Sequence, residues 1–280
     1  MQLKQALTAA IDTLTANAVG SPRMNAETLL MFVLNSDRAY LYAHPEYELT
    51  AGEQAHYDEA IAERSTGKPS QYITGHQEFW GMDLIVSPAV LIPRPETEHV
   101  IETVLELARM KEAPRIVDVG TGSGCIALAL AMEMPWARVE AVDISPAALE
   151  VARANAHRLQ LDHRIIFQQR DLLAGAPAAT YDFVVSNPPY VPESAPEKAQ
   201  REVREFEPKV AVFAGESGLE VYRRLVPQAR EALKPGGWLV VEIGYSILNA
   251  VHELVKDWAE VRVTPDLQGM PRVVAARRPL

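Results

Sequence analysis

One cysteine, Cys125, is all the chain contains, so no intramolecular disulfide can form. Basic residues are also in deficit. Lys and Arg number 27 against 37 Asp and Glu, for a net charge of −10 over 280 residues. That balance disfavours an extended phosphate-binding surface, because nucleic-acid binders carry a clear basic patch. No run approaches 18 uninterrupted apolar residues, so no membrane span is expected. The opening residues, Met1-Gln2-Leu3-Lys4-Gln5, lack the long apolar stretch of a secretory leader, and a cytoplasmic protein is the expectation. The seven histidines (His44, His56, His76, His99, His157, His163 and His252) are scattered without metal-ligand spacing, so no metal site is expected. There is no internal repeat, no low-complexity tract and no signal of oligomeric state. What the chain does have is apolar substance: 48% hydrophobic residues support a full core and exclude disorder as a global description.

The first 74 residues read as a small helical domain. Leu3, Ala6, Leu7, Ala10, Ile11 and Leu14 recur at helical spacing. Ser21-Pro22 predicts an N-cap followed by proline at the first helical position, and Thr50 with Glu53 predicts a capping box on a helix ending near Gly67. Residues 1–85 hold 5 basic and 11 acidic side chains, a balance of −6. Residues 75–95 predict a hairpin turning near Gly81, then a stiff connector with Pro88, Pro93 and Pro95.

From residue 96 onward strands alternate with helices. The expected strands are 115–119, 138–142, 164–168, 182–186, 237–243, 260–264 and 272–277. Alternation of this kind predicts a parallel sheet covered on both faces. The last two strands are joined only by Pro265–Pro271, too short for a crossover helix, so that pair must be antiparallel. The pattern is that of a Rossmann-like α/β methyltransferase fold: a seven-stranded, mostly parallel sheet with a terminal antiparallel hairpin.

Val117-Asp118-Val119 runs into Gly120-Thr121-Gly122-Ser123-Gly124 and then a helical stretch. Such a loop lets the backbone approach a ligand at a helix N-terminus. Cys125 departs from the dinucleotide pattern, and no Gly-Lys-Ser/Thr ending supports a P-loop. Gly-x-Gly-x-Gly instead suits S-adenosylmethionine, whose amino-acid part carries no phosphate. Asp143, at the end of the next strand, is placed to take both ribose hydroxyls or to cap a helix. Asp171 follows the third strand and is placed to accept from an adenine amino group, with Leu172 packing on the ring.

Asn187-Pro188-Pro189-Tyr190 ends the fourth strand. Two prolines remove two N–H donors and stiffen the chain, so carbonyls and the Asn187 amide are free to face one target, and Tyr190 adds a flat face. This set suits a planar group bearing NH2, either a carboxamide or an exocyclic amine, and Asn187 also borders the cofactor. All these positions fall at carboxyl ends of strands, where open α/β sheets bind ligands.

The chain resembles the bacterial release factor glutamine methyltransferases, the HemK/PrmC family, over nearly its whole length. The likeness rests on Pro69–Gly75, Phe79-Trp80-Gly81, Val90–Glu98 (with Ile92-Pro93-Arg94-Pro95-Glu96-Thr97-Glu98), the glycine loop, Asn187–Val191, Glu207-Pro208 and Asp266–Val274. The resemblance implies methyl transfer from S-adenosylmethionine to the side-chain nitrogen of a glutamine in the Gly-Gly-Gln loop of class I peptide chain release factors. Leu172 departs from relatives that carry an aromatic residue there. Arg94, Glu96 and Glu98 read either as a helix start or as a pocket edge. A glutamine methyltransferase of a ribosomal protein would share these motifs. An adenine-N6 DNA methyltransferase would need a basic recognition region, which residues 1–85 do not supply.

Overall fold

A computed structural model describes residues 1–280, the side chain of Lys198 excepted. The chain divides into two compact units, Met1–His76 and Gln77–Leu280.

The first unit is helical: α1 (Leu3–Ala16), α2 (Pro22–Leu34), α3 (Arg38–Ala43), α4 (Ala51–Ser65) and α5 (Ser70–Thr74). Spacing of three and four residues buries Leu3, Ala6, Ala10 and Leu14 on one face of α1. The Thr50–Glu53 capping box forms, with Glu53 N donating to Thr50 Oγ1 and Thr50 N to Glu53 Oε2. Ser21 does precede α2, but it sits in the left-handed region and makes no side-chain cap, so proline alone sets that start. Two buried polar contacts tie α4 to α2: Tyr57 Oη donates to Ala26 O at 3.0 Å, and Arg64 Nε to Asn25 Oδ1 at 2.8 Å.

The hairpin β1 (His76–Phe79) and β2 (Met82–Ile85) turns at Trp80 and Gly81, both with positive φ, as two-residue hairpins require. The segment after residue 76, read as a connector, is packed into the second unit, whose core takes in Phe79, Met82 and Leu84.

The sheet consists of β3 (Arg115–Val119), β4 (Arg138–Asp143), β5 (Ile165–Gln169), β6 (Tyr181–Ser186), β7 (Leu233–Glu242), β8 (Glu260–Pro265) and β9 (Pro271–Arg277). Their order is β5-β4-β3-β6-β7-β9-β8. The first five are mutually parallel, and β9 runs antiparallel to both neighbours. The expected antiparallel pair is present, and its second strand is inserted between β7 and β8.

The intervening helices are α6 (Glu98–Ala108), α7 (Cys125–Glu133), α8 (Pro146–Arg158), α9 (Arg201–Phe206), α10 (Lys209–Val212), α11 (Glu220–Ala232) and α12 (Leu248–Leu254). Strand alternation sorts the core into two layers. Ile116, Phe183, Val185, Val240 and Ala275 pack with α6 and α7, whereas Val117, Val184, Leu239, Val241 and Val274 pack with α11 and α12. Among the described residues, no helix is long and apolar enough to cross a membrane.

Candidate active site

The chain leaves β3 for β4 on one side of the sheet and later returns to add β6 on the other. This makes β3–β6 the switch point where the carboxyl ends open a crevice. A cavity lies there. Of the residues singled out in the sequence, Gly120, Thr121, Gly122, Ser123, Asp143, Asp171, Leu172, Asn187 and Pro189 line it. Gly124, Pro188 and Tyr190 do not.

Gly120 and Gly122 have φ of 71° and 55°. Apart from the adjoining residues, no atom of the described residues lies within 4 Å of the position a Cβ would take at either, so the loop presents bare backbone beside open space. Gly124 serves packing instead, since a Cβ there would come within 3.2 Å of Ala152 and Leu128 side chains. The loop is held from below. Gly122 N donates to Asp143 Oδ2, and Ser145 N to Asp143 Oδ1, both at 2.9 Å. Asp143 is buried, and burial raises its carboxyl above the usual range, against these backbone bonds.

Three polar side chains that support the site carried no clear sequence signal. Asp118, 1% exposed, accepts from Thr121 Oγ1 at 2.6 Å and from Ala127 N at 3.2 Å, both through Oδ2. Its Oδ1 is buried without a partner, and burial pushes the carboxyl up to about 7. Asn155 of α8 is fully buried. It donates to Ser123 O and Ile85 O and accepts from Ile85 N, clamping the glycine loop to β2. Ser186 Oγ donates to Val119 O at 2.6 Å, fastening the end of β6 to that of β3. A polar residue inside an apolar strand was the only hint for Asp118 and Ser186.

Asp171 borders the cavity while its Oδ2 is paired with Arg224 at 2.5 Å, and Leu172 has a positive φ of 52°. Asn187 donates from Nδ2 to Thr97 Oγ1 at 3.0 Å, and no hydrogen bond among the described residues reaches its Oδ1. Pro188 is buried. Tyr190 packs over Gly244, where a Cβ would approach its Cδ2 to 2.9 Å. Burial first, then Glu242, pushes the Tyr190 hydroxyl up to about 12.

The segment before α6 also contributes, but not through its charges. Ala89, Val90, Leu91, Pro93 and Thr97 line the cavity. Arg94 is paired with the buried Glu207, which also accepts from Ile92 N at 3.1 Å. Glu98 accepts from Trp80 N, and Glu96 lies 3.8 Å from Arg272. Pro95 opens a short 3-10 turn through Thr97, followed by α6. The three charged residues therefore brace the segment, and the neutral ones face the cavity.

A bare glycine loop, a buried carboxylate at the next strand end and a mainly apolar remainder fit a nucleoside joined to an amino acid. Comparison with known proteins agrees. Residues 5–75 match the family model described as the PrmC N-terminal domain, and residues 99–205 match the methyltransferase small domain. A release factor glutamine methyltransferase of Koribacter versatilis is 58% identical over 280 residues, spanning 100% of this chain and 99% of that one. One of the same name from Moorella thermoacetica is 45% identical over 281 residues, 99% of each. The structure of a methyltransferase from Pyrococcus furiosus superposes with a TM-score of 0.54 at 18% identity, over 82% of this chain and 100% of that one, a likeness of fold. The chain belongs to the release factor glutamine methyltransferase family.

Proposed function

We propose that this chain methylates the side-chain amide nitrogen of the glutamine in the Gly-Gly-Gln loop of class I peptide chain release factors, using S-adenosylmethionine. The observation that carries this reading is Asn187, which lines the cavity with Nδ2 held by Thr97 and Oδ1 without a hydrogen-bond partner among the described residues. Gly120–Ser123 would hold the amino-acid part of the donor, with Gly124 seating the loop on α8, Asp143 the ribose, and Asp171 with Leu172 the adenine. Leu172 gives apolar packing there rather than aromatic stacking. Bound in this way, S-adenosylmethionine supplies an electrophilic methyl group on a positively charged sulfur.

The chain's own task is to make an amide nitrogen nucleophilic enough. Its lone pair is delocalised into the carbonyl, so a neutral amide is a poor nucleophile. Asn187 Oδ1 and the Pro188 carbonyl accept the two amide hydrogens, which holds the amide plane and aims the nitrogen. Positive charge gathers on that nitrogen as its new bond forms, its hydrogens become more acidic, and both bonds tighten. An interaction stronger in the transition state than in the ground state accelerates the step. Fixed geometry adds to it. The S–CH3 bond would break as the N–CH3 bond forms, S-adenosylhomocysteine would leave as a neutral thioether, and the nitrogen would then give its extra proton to water, so no base of unusual strength is required first. Tyr190, whose ring lies over Gly244, would pack against the glutamine amide plane.

The helical unit is proposed to recognise the release factor, its acidic surface meeting a basic one, a reading motivated by the charge of residues 1–76, which hold 5 basic and 9 acidic side chains, a balance of −4. The direct test is a transfer assay with a purified class I release factor, read by mass spectrometry. One methyl group on the Gly-Gly-Gln glutamine is expected, and none when that glutamine is replaced. Modification elsewhere, or no modification, would overturn the proposal.

A further inference from the structure

Asn187 is the end of a buried hydrogen-bonded chain. Thr97 comes from the 3-10 turn before α6 and is 1% exposed; Glu242 ends β7 and is 3% exposed. Strand register pairs Ser186 with Val241, which brings the residues after them, Asn187 and Glu242, to neighbouring strand ends. Thr97 Oγ1 bridges them, donating to Glu242 Oε2 at 2.6 Å and accepting from Asn187 Nδ2 at 3.0 Å.

The direction of this chain is fixed by proton count. An ionised carboxylate only accepts, and a hydroxyl has one hydrogen to give. With Glu242 ionised, the Thr97 hydrogen is committed to it, and the Thr97 oxygen faces Asn187 purely as an acceptor. Only the NH2 end of the Asn187 carboxamide satisfies it, so Oδ1 is turned to the cavity. We propose that Thr97 and Glu242 are positioning residues for methyl transfer, setting which end of the Asn187 carboxamide meets the acceptor amide. This rests on the reading of Asn187 as the acceptor of the substrate's amide hydrogens.

The arrangement is sensitive to one proton. A protonated Glu242 can donate to Thr97, which then gives its own hydrogen to Asn187. The carboxamide turns over and presents NH2 to the substrate's NH2, a pairing with no acceptor in it. Burial raises the Glu242 carboxyl to about 7, its bond from Thr97 and the charges of Arg272 and Arg94 opposing, and that of Glu96 reinforcing. The remaining titratable neighbours are Tyr190, Tyr222, whose Oη donates to Glu242 O at 2.7 Å, and Cys125. Burial raises all three, so none titrates in that range.

The test follows kcat from about pH 5.5 to about 9 with the full chain and a release factor, alongside donor affinity by calorimetry. Wild type should lose activity below about 7, by about tenfold per pH unit. Thr97→Val should lower kcat at pH 8 by about tenfold or more with donor affinity unchanged, and Thr97→Ser, which keeps the hydroxyl, should recover most of that loss. Glu242→Gln keeps the shape and removes the buried charge. Its amide serves either direction, so kcat should fall and the acidic limb should vanish. Asp118, also raised to about 7, holds the glycine loop, so its titration moves donor affinity, and kcat is read at saturating donor. Wild-type kcat in Thr97→Val, or an acidic limb in kcat that survives in Glu242→Gln at saturating donor, overturns the proposal. An Asn187→Ala variant separates the two readings. If it turns over normally, the role of Asn187 itself fails; if it is impaired while Thr97→Val and Glu242→Gln behave as wild type, the relay alone fails.

Discussion

Asn187 and Asp118 are both polar groups at strand ends, but they call for different measurements. Removing the Asn187 carboxamide withdraws one preorganised acceptor, so Asn187→Ala should lower kcat by about 10²–10³, about 2.7–4 kcal/mol, with donor affinity retained. Single-turnover kinetics with saturating donor would check this. Asp118 is expected to show itself in stability. Its folded carboxyl is raised to about 7 from the ordinary 3.8, so the folded state holds the proton more tightly than the unfolded chain. The stabilisation is full below the unfolded value and is lost as pH rises through the folded one. Melting temperature should therefore decline between about pH 4 and about pH 7, and Asp118→Asn should flatten that decline. Glu242, raised to about 7 by burial, contributes to the same slope, so the flattening is partial in either single variant. A melting curve of Asp118→Asn with the full wild-type slope would count against this assignment.

The strand ends and turns were legible to differing degrees. Strand positions were readable because period-two burial is local: Ile116 and Val117 already face opposite layers in the primary pattern. The sequence pattern starts β7 at 237, yet pairing begins at Leu233 and resumes, after a register shift, at Trp238. Lys234, Pro235, Gly236 and Gly237 give that stretch no strand signature; its partner Tyr181 makes it one. The turn after β6 shows how far neighbours decide a motif. Gly244 has an ordinary φ of −69°, so alanine there meets no backbone strain, only the Tyr190 ring. Gly244→Ala should shift that ring and reduce kcat/KM for the release factor by about tenfold, while donor binding is kept. Gly218→Ala is harsher. Its Cβ would approach Tyr190 O to 2.5 Å from a backbone with φ of 79°, and it should destabilise the protein by about 1–3 kcal/mol or more in denaturant titrations.

For the protein as a whole, the acidic character of residues 1–76, with 5 basic and 9 acidic side chains, leads to a prediction about association. If the helical unit meets a basic surface, release-factor affinity should weaken several-fold as salt rises from about 50 to about 200 mM, measured by titration calorimetry. A flat response would remove the electrostatic part of the proposal. By itself the sequence determined the helical first unit, the alternation of strands and helices, the antiparallel closing pair, and the glycine loop with Asp143, Asp171 and Asn187 at strand ends. These follow from periodicity, turn chemistry and connection length, which act over a few residues. Tertiary structure alone decided that β9 lies between β7 and β8, and that Tyr190 lies over Gly244. It also decided that Thr97 meets Asn187 across 90 positions and Glu242 across 145. Such meetings depend on which layers pack together, and the burial that raises Asp118 and Glu242 exists only once they have packed.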